Sequence, residues 1–300
     1  MENRQTISYV ANRLKAAGLR PVNRFGQNFL VDLNLIELIA RSADLGPRDV
    51  VLEVGTGTGS LTAKMAKRAA QVVTVEIDEN LAELARQEFA TLPNVTLLQT
   101  DALKNKNTLH PEVVRVVQEK LAAAGPQARL KLVANLPYNV ATPIISNILL
   151  FDPVPERIVV TIQRELAERI IAAPSTKDYS ALSIWVQTLA HPRIVRVLPP
   201  SVFWPRPKVH SAILQIDPSD ELRRRVHDLD FYHRTVRALY FHRRKFLRSV
   251  VVSAMKERLD KATVDQLLDE LGMGATTRAE ELSVEQTIEL IERLRQATAA

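Results

Sequence analysis

The chain has 300 residues, 46% of them apolar and 25% charged, with a formal net charge of +6. That length accommodates a large α/β domain with a smaller companion, and the apolar share is enough to build a full core. Having no cysteine, the chain excludes disulfide frameworks, thiolate metal sites, iron–sulfur clusters and a cysteine nucleophile; a cytoplasmic setting is expected, and the positive balance favours a polyanionic partner.

In chain order, residues 1–20 read as a short helix ending at Gly18, outside any sheet and without a secretory apolar core. Short, nearly all-apolar runs then predict strands over 50–54, 72–76, 95–99, 130–134 and 158–162. Helical spacing fills the gaps, over 61–69, 79–89, 111–124 and 142–150. Strand–helix–strand alternation implies a parallel, doubly wound sheet. Two further strands are predicted over 193–197 and 209–216. The Pro-rich link between them (Pro199, Pro200, Pro205, Pro207) is too short for a helical crossover, so an antiparallel hairpin at a sheet edge is expected. After Pro218 only helical periodicity remains. Residues 223–248 hold nine Arg or Lys against Asp228 and Asp230. The division expected is therefore 1–217 and 218–300.

The first strand runs into Gly55-Thr56-Gly57-Thr58-Gly59, with Ser60 placed to cap the next helix. Such glycines permit a sharp turn and close approach of a ligand to the main chain. The second strand ends in Glu76, about where a carboxylate binds the two hydroxyls of a ribose, and the third reaches Asp101. All three positions fall at the carboxyl ends of neighbouring strands. A nucleoside ligand is the reading favoured over a solvated turn. G-x-G-x-G spacing leans to S-adenosylmethionine and away from a dinucleotide.

The fourth strand ends in Asn135-Leu136-Pro137-Tyr138. Pro137 forces Leu136 to be extended. That kink can aim the Asn135 amide and the Leu136 carbonyl at one point, as the two hydrogens of an exocyclic NH₂ require. Tyr138 can stack on the base carrying that group. Acceptors drawing on both hydrogens free the nitrogen lone pair for methyl transfer.

On these motifs the sequence resembles the ribosomal RNA adenine N6,N6-dimethyltransferases, and among them the bacterial small-subunit branch. The resemblance also rests on Phe25-Gly26-Gln27-Asn28-Phe29-Leu30, on the stretch from Gln163 to Arg169, and on Phe203-Trp204-Pro205-Arg206-Pro207-Lys208-Val209-His210-Ser211. It implies a seven-stranded, mostly parallel methyltransferase sheet with a smaller all-helical, rRNA-binding C-terminal domain. It further implies S-adenosylmethionine as cofactor, contacted by Asn28, Leu30, Gly55, Gly57, Glu76, Asp101 and Asn135. Tyr138 and Phe203 would sandwich the target adenine. The implied substrate is two adjacent adenosines in the loop of the 3′-terminal hairpin of 16S rRNA, each methylated twice within a pre-30S particle.

Two departures stand out. Thr56 occupies a position where the family usually has Pro, and residues 105–129 are longer than expected and suggest an extra helix over 111–124. The basic run, interleaved with Phe231, Tyr232, Tyr240, Phe241 and Phe246, points to phosphate contacts from at least Arg243, Arg244 and Lys245. Arg206 and Lys208 are further candidates for the rRNA backbone. The six histidines show no metal-ligand spacing, so no metal is expected, and a monomer is the default. Three alternatives remain: a large-subunit adenine methyltransferase, an assembly factor that mainly binds, and, more distantly, a dehydrogenase.

Overall fold

The computed structural model describes residues 27–299 together with Asn12, Leu14 and Lys15. The helix expected over 1–20, Gly18 included, lies outside the described residues apart from those three. The strands are β1 (Phe29–Leu30), β2 (Asp49–Val54), β3 (Gln71–Glu76), β4 (Val95–Gln99), β5 (Leu103–Asn105), β6 (Thr108–Leu109), β7 (Arg129–Asn135), β8 (Arg157–Gln163), β9 (Ala190–Leu198), β10 (Phe203–Trp204) and β11 (Ser211–Pro218).

Seven of these form one sheet in the order β4-β3-β2-β7-β8-β11-β9. The five from β4 to β8 pair in parallel, and β11 runs antiparallel to β8 with Ile213 opposite Thr161. Each of β2, β7 and β8 is buried almost along its length. Helices on both faces make this necessary and explain the unbroken apolar runs.

The helix Pro111–Ala124 packs on β2 and β3 and buries Val113, Val116, Val117 and Leu121. It is therefore not an extra element. It is the crossover that a parallel step from β4 to β7 demands. A helix Leu33–Ser42, unanticipated from the sequence, packs against β8 and against the helix Ser60–Ala66. Asp32 caps it by accepting from the Asn34 and Leu35 amides. Lys131, buried in β7, pairs with Asp49 at 2.9 Å and donates to the carbonyls of Ala43 and Asp44 just past that helix.

The chain divides into two compact units: described residues to 167 with 193–218, and 168–192 with 219–299. The sequence division placed 168–192 in the first unit. In the structure the helix Ala181–Leu189 packs against the helices Leu229–Phe241 and Val284–Ala299, because its Trp185 and Ile184 complete their core. Within this second unit Tyr179 donates to the Leu282 carbonyl, and Tyr232 and Tyr240 bond the hydroxyls of Thr188 and Thr287. Phe231, Tyr232 and Tyr240 are thus core aromatics, and of the five interleaved with the basic run only Phe241 and Phe246 face outward.

Candidate active site

Chain order along the sheet reverses between β2 and β7, where neighbouring loops part and leave a crevice. A cleft opens there in the first unit, with about 1120 Å³ of space counted out to its mouth. Asn28, Leu30, Gly55, Gly57, Glu76, Asp101, Asn135 and Leu136 all line it. The predicted residues from five separate stretches of chain therefore meet at one place.

Gly55 has φ +86°, and a Cβ there would lie 3.0 Å from Pro137 Cδ. The glycine turn is pressed directly onto the Asn-Leu-Pro-Tyr turn, and only a residue without a side chain allows it. Gly59, at φ +80°, occupies the cap of the helix Ser60–Ala66. Ser60 is the first helical residue and not the cap expected from sequence, because the left-handed glycine takes that place. A Cβ on Gly59 would meet Phe89 at 2.8 Å.

Glu76 accepts from the Gly57 amide at 2.9 Å and from the Asp78 amide at 3.1 Å. Its pKa is raised, chiefly by burial, with those amides opposing the shift. Asp101 is exposed and accepts from the Leu103 amide at 2.9 Å. Asn135 donates through Nδ2 to the Asn28 carbonyl at 2.9 Å. An amide committed in that way has Oδ1 left to accept. Residues 27–30 are strapped across the cleft: Gln27 bonds Asp78, Asn28 holds Asn135, and Leu30 pairs with Phe203.

Sequence reasoning did not find Glu53, which is 1% exposed at the end of β2 and lines the cleft. Thr62 and Thr74 both donate to its Oε2, the latter at 2.6 Å. Having given its proton to Glu53, Thr74 accepts from Thr56 at 2.7 Å. Burial pushes the Glu53 pKa up to about 8, with both hydroxyls opposing and Glu76 adding repulsion. The departure at Thr56 therefore extends a hydroxyl chain to a buried carboxyl, which a proline has no hydroxyl to do.

Two predicted residues stand off the cleft wall. The Tyr138 hydroxyl bonds Ser211 at 2.6 Å, and burial raises its pKa. Phe203 is a correction. It is 1% exposed, opposite Leu30 in the β1–β10 ladder, inside the apolar cluster that includes Ile36, Ile39 and Ile213. Its ring is a core plug and offers no face to a base; burying an aromatic of that size outweighs exposing it. Arg243 is a second correction. Its guanidinium donates to the carbonyls of Tyr179 and Lys177, the latter at 2.5 Å, and pairs with Glu280, so it serves the fold and not a phosphate.

Whether S-adenosylmethionine fits is decided by these residues. The close approach of the backbone at Gly55 and Gly57 gives a cradle that any side chain would fill. A buried carboxylate at the end of β3 suits a ribose, and Asp101 beyond β4 suits an amine. They fit. A doubly wound sheet with these groups at its switch point defines the S-adenosylmethionine-dependent methyltransferases.

Comparison with known proteins narrows the class. The family model described as ribosomal RNA adenine dimethylase matches residues 20–296. The ribosomal RNA small subunit methyltransferase A of Lachnoclostridium phytofermentans is 37% identical over 268 residues, 89% of each chain. The protein of the same name from Lactiplantibacillus plantarum is 38% identical over 284 residues, 93% of this chain and 92% of its own. Among solved structures, a dimethyladenosine transferase from Plasmodium falciparum superposes with a TM-score of 0.73 at 23% identity, covering 88% of this chain and 96% of that one. The 23S rRNA methyltransferase ErmE superposes with a TM-score of 0.63 at 28% identity, covering 90% and 100%. The chain belongs to the ribosomal RNA adenine dimethylase family and is an S-adenosylmethionine-dependent enzyme.

Among the described residues no group of three His, Asp or Glu side chains is placed to hold a metal, and no helix is long and apolar enough to cross a membrane.

Proposed function

We propose that this enzyme dimethylates the N6 amino groups of two adjacent adenosines in the loop of the 3′-terminal hairpin of 16S rRNA, within an immature small subunit. One observation carries the reading: the Asn135 amide, pinned at Nδ2 by the Asn28 carbonyl, lines the same cleft as the glycine turn and Glu76. Bound S-adenosylmethionine supplies an electrophilic methyl group on a sulfonium.

Glu76 would bind the ribose hydroxyls and Asp101 the adenine amine of the cofactor, with Asn28, Leu30 and the Gly55–Gly57 backbone enclosing the rest. Asn135 Oδ1 and the Leu136 carbonyl accept the two hydrogens of the target amino group. Holding both hydrogens in that direction turns the nitrogen lone pair out of the ring and toward the methyl group. The proton leaves only after the nitrogen has become cationic, so a strong base is not required. Tyr138, fixed at its hydroxyl by Ser211, is the aromatic assigned to the target base. Relatives sharing 37–38% identity carry the small-subunit name, which supports that substrate.

Asn135→Ala is expected to lower kcat by at least about a hundredfold, as loss of one preorganised polar contact in a dry site does. Cofactor affinity, read by calorimetry, is retained. Full activity in that variant overturns the role. The likeness to ErmE gives a second reading, methylation of 23S rRNA. Primer-extension stops on both rRNAs after incubation separate the two.

A further inference from the structure

The helical unit carries an aromatic that its fold does not use. Phe241 is 80% exposed at the end of the helix Leu229–Phe241. An exposed phenyl ring gives up the apolar burial that would stabilise it, so a fold that leaves it out calls for an explanation. Among the large apolar side chains of that helix it alone is exposed. The nearest outward residues earlier on its helix are Arg234, Arg237 and the small Ala238, seven, four and three positions before it, and the turn that follows places Arg244 and Lys245 outward. Neither Arg244 nor Lys245 makes a side-chain bond or ion pair with other described residues.

The rest of the basic run is committed elsewhere. Arg243 holds the carbonyls of Tyr179 and Lys177, and Arg248 forks onto Asp265 at 2.5 and 2.7 Å. The other outward aromatic, Phe246, already has the Arg278 guanidinium 5.9 Å from its ring centroid. Among the described residues the aromatic neighbour of Phe241 is the His242 ring, at 4.7 Å and an interplanar angle of 77°, an edge contact that leaves a face open.

An apolar protein partner would call for large apolar neighbours around the ring, and here the other long exposed side chains of its helix are cations. A single flat ring followed in the chain by two uncommitted cations, Arg244 and Lys245, matches single-stranded nucleic acid, which offers a base to the ring and phosphates to the charges. We infer that Phe241 is a stacking platform for an unpaired RNA base, with Arg244 and Lys245 holding the flanking phosphates. The inference rests on the RNA-modifying role proposed above and adds a base-stacking contact to the basic face of the helical unit.

The test compares a short single-stranded adenosine oligomer with an abasic oligomer of the same length, by fluorescence anisotropy on the full chain. Phe241→Ala is expected to weaken the adenosine oligomer roughly five- to a hundredfold, the cost of one lost base–aromatic stack. The same variant changes abasic binding less than twofold and keeps its salt dependence. Phe241→Trp restores affinity. Arg244→Ala weakens both oligomers alike and lowers the slope of log affinity against log salt by about 0.7.

The inference is overturned if Phe241→Ala binds the adenosine oligomer as wild type does, if it weakens both oligomers equally, or if Phe241→Leu matches wild type. The last result marks a plain apolar contact. Methyl transfer by the wild-type enzyme to immature small subunits is measured in parallel. Absence of transfer by the wild-type enzyme contradicts the proposed function and leaves the binding comparison readable.

Discussion

The cleft and the basic helical face use their residues in opposite ways. At the cleft, identity is dictated atom by atom. Gly55 admits no Cβ beside Pro137, and one amide of Asn135 is spent so that the other end is free. On the helical face, what matters is which cations the fold leaves unspent. Arg243 and Arg244 are neighbours of the same type, yet one is half-buried and bonded to carbonyls and the other stands in solvent. Chemistry that acts on one atom therefore leaves a spelled motif, while docking on a polyanion leaves a surplus of charge that only tertiary structure sorts.

The comparison breaks first at the glycine turn. Gly59→Ala forces a Cβ to 2.8 Å from Phe89 at a left-handed φ. A loss of about 3 kcal/mol is expected by urea denaturation, the sum of the backbone and overpacking costs. A stable variant would show that the turn has more freedom than its geometry implies.

Next comes the pair of arginines. Arg243→Ala strips donors from two carbonyls and is expected to cost about 2 kcal/mol of stability. Arg244→Ala should stay within about 0.5 kcal/mol and show its effect on RNA instead. Equal destabilisation by both would erase the distinction drawn here.

A subtler probe is pH. The folded pKa of Glu53 lies near 8, above its ordinary value of 4.5. The folded state therefore binds more protons than the unfolded one between those values. The contribution is fully present below about pH 4.5 and is lost as pH rises through about 8, at up to ~1.4 kcal/mol per pH unit. Glu76 is shifted in the same direction and adds to the trend. Glu53→Gln should flatten the stability profile between pH 5 and pH 8; an unchanged profile would show that Glu53 is ionised in its pocket.

Much of the α/β unit was legible because buried parallel strands are apolar without interruption. The strand β4 and the helix Glu79–Phe89 have the predicted bounds. The helix Leu33–Ser42 has its sequence signal in the Asp32 cap and the spacing of Leu35, Ile36 and Ile39, a sparse pattern beside the unbroken strand runs. The helix over 111–124 was seen but misjudged as an insertion, since its role depends on which strand follows in space. Phe203 was read as a stacking ring, and nothing local distinguishes that from the core plug created by its pairing with Leu30. The placing of 168–192 with the helical unit depends on contacts such as Thr188 with Tyr232, 44 positions on, and Tyr179 with Leu282, 103 positions on, which spacing along the chain does not reveal.

The central claim is that Asn135 presents an acceptor to an adenine amino group beside the cofactor. Mass spectrometry of rRNA nucleosides, after immature small subunits are incubated with isotopically labelled S-adenosylmethionine, tests it most directly. Wild-type enzyme should yield labelled N6,N6-dimethyladenosine, and Asn135→Ala should yield none while still binding cofactor. Labelled dimethyladenosine from the variant at the wild-type rate, or label on any other nucleoside from the wild type, would contradict it.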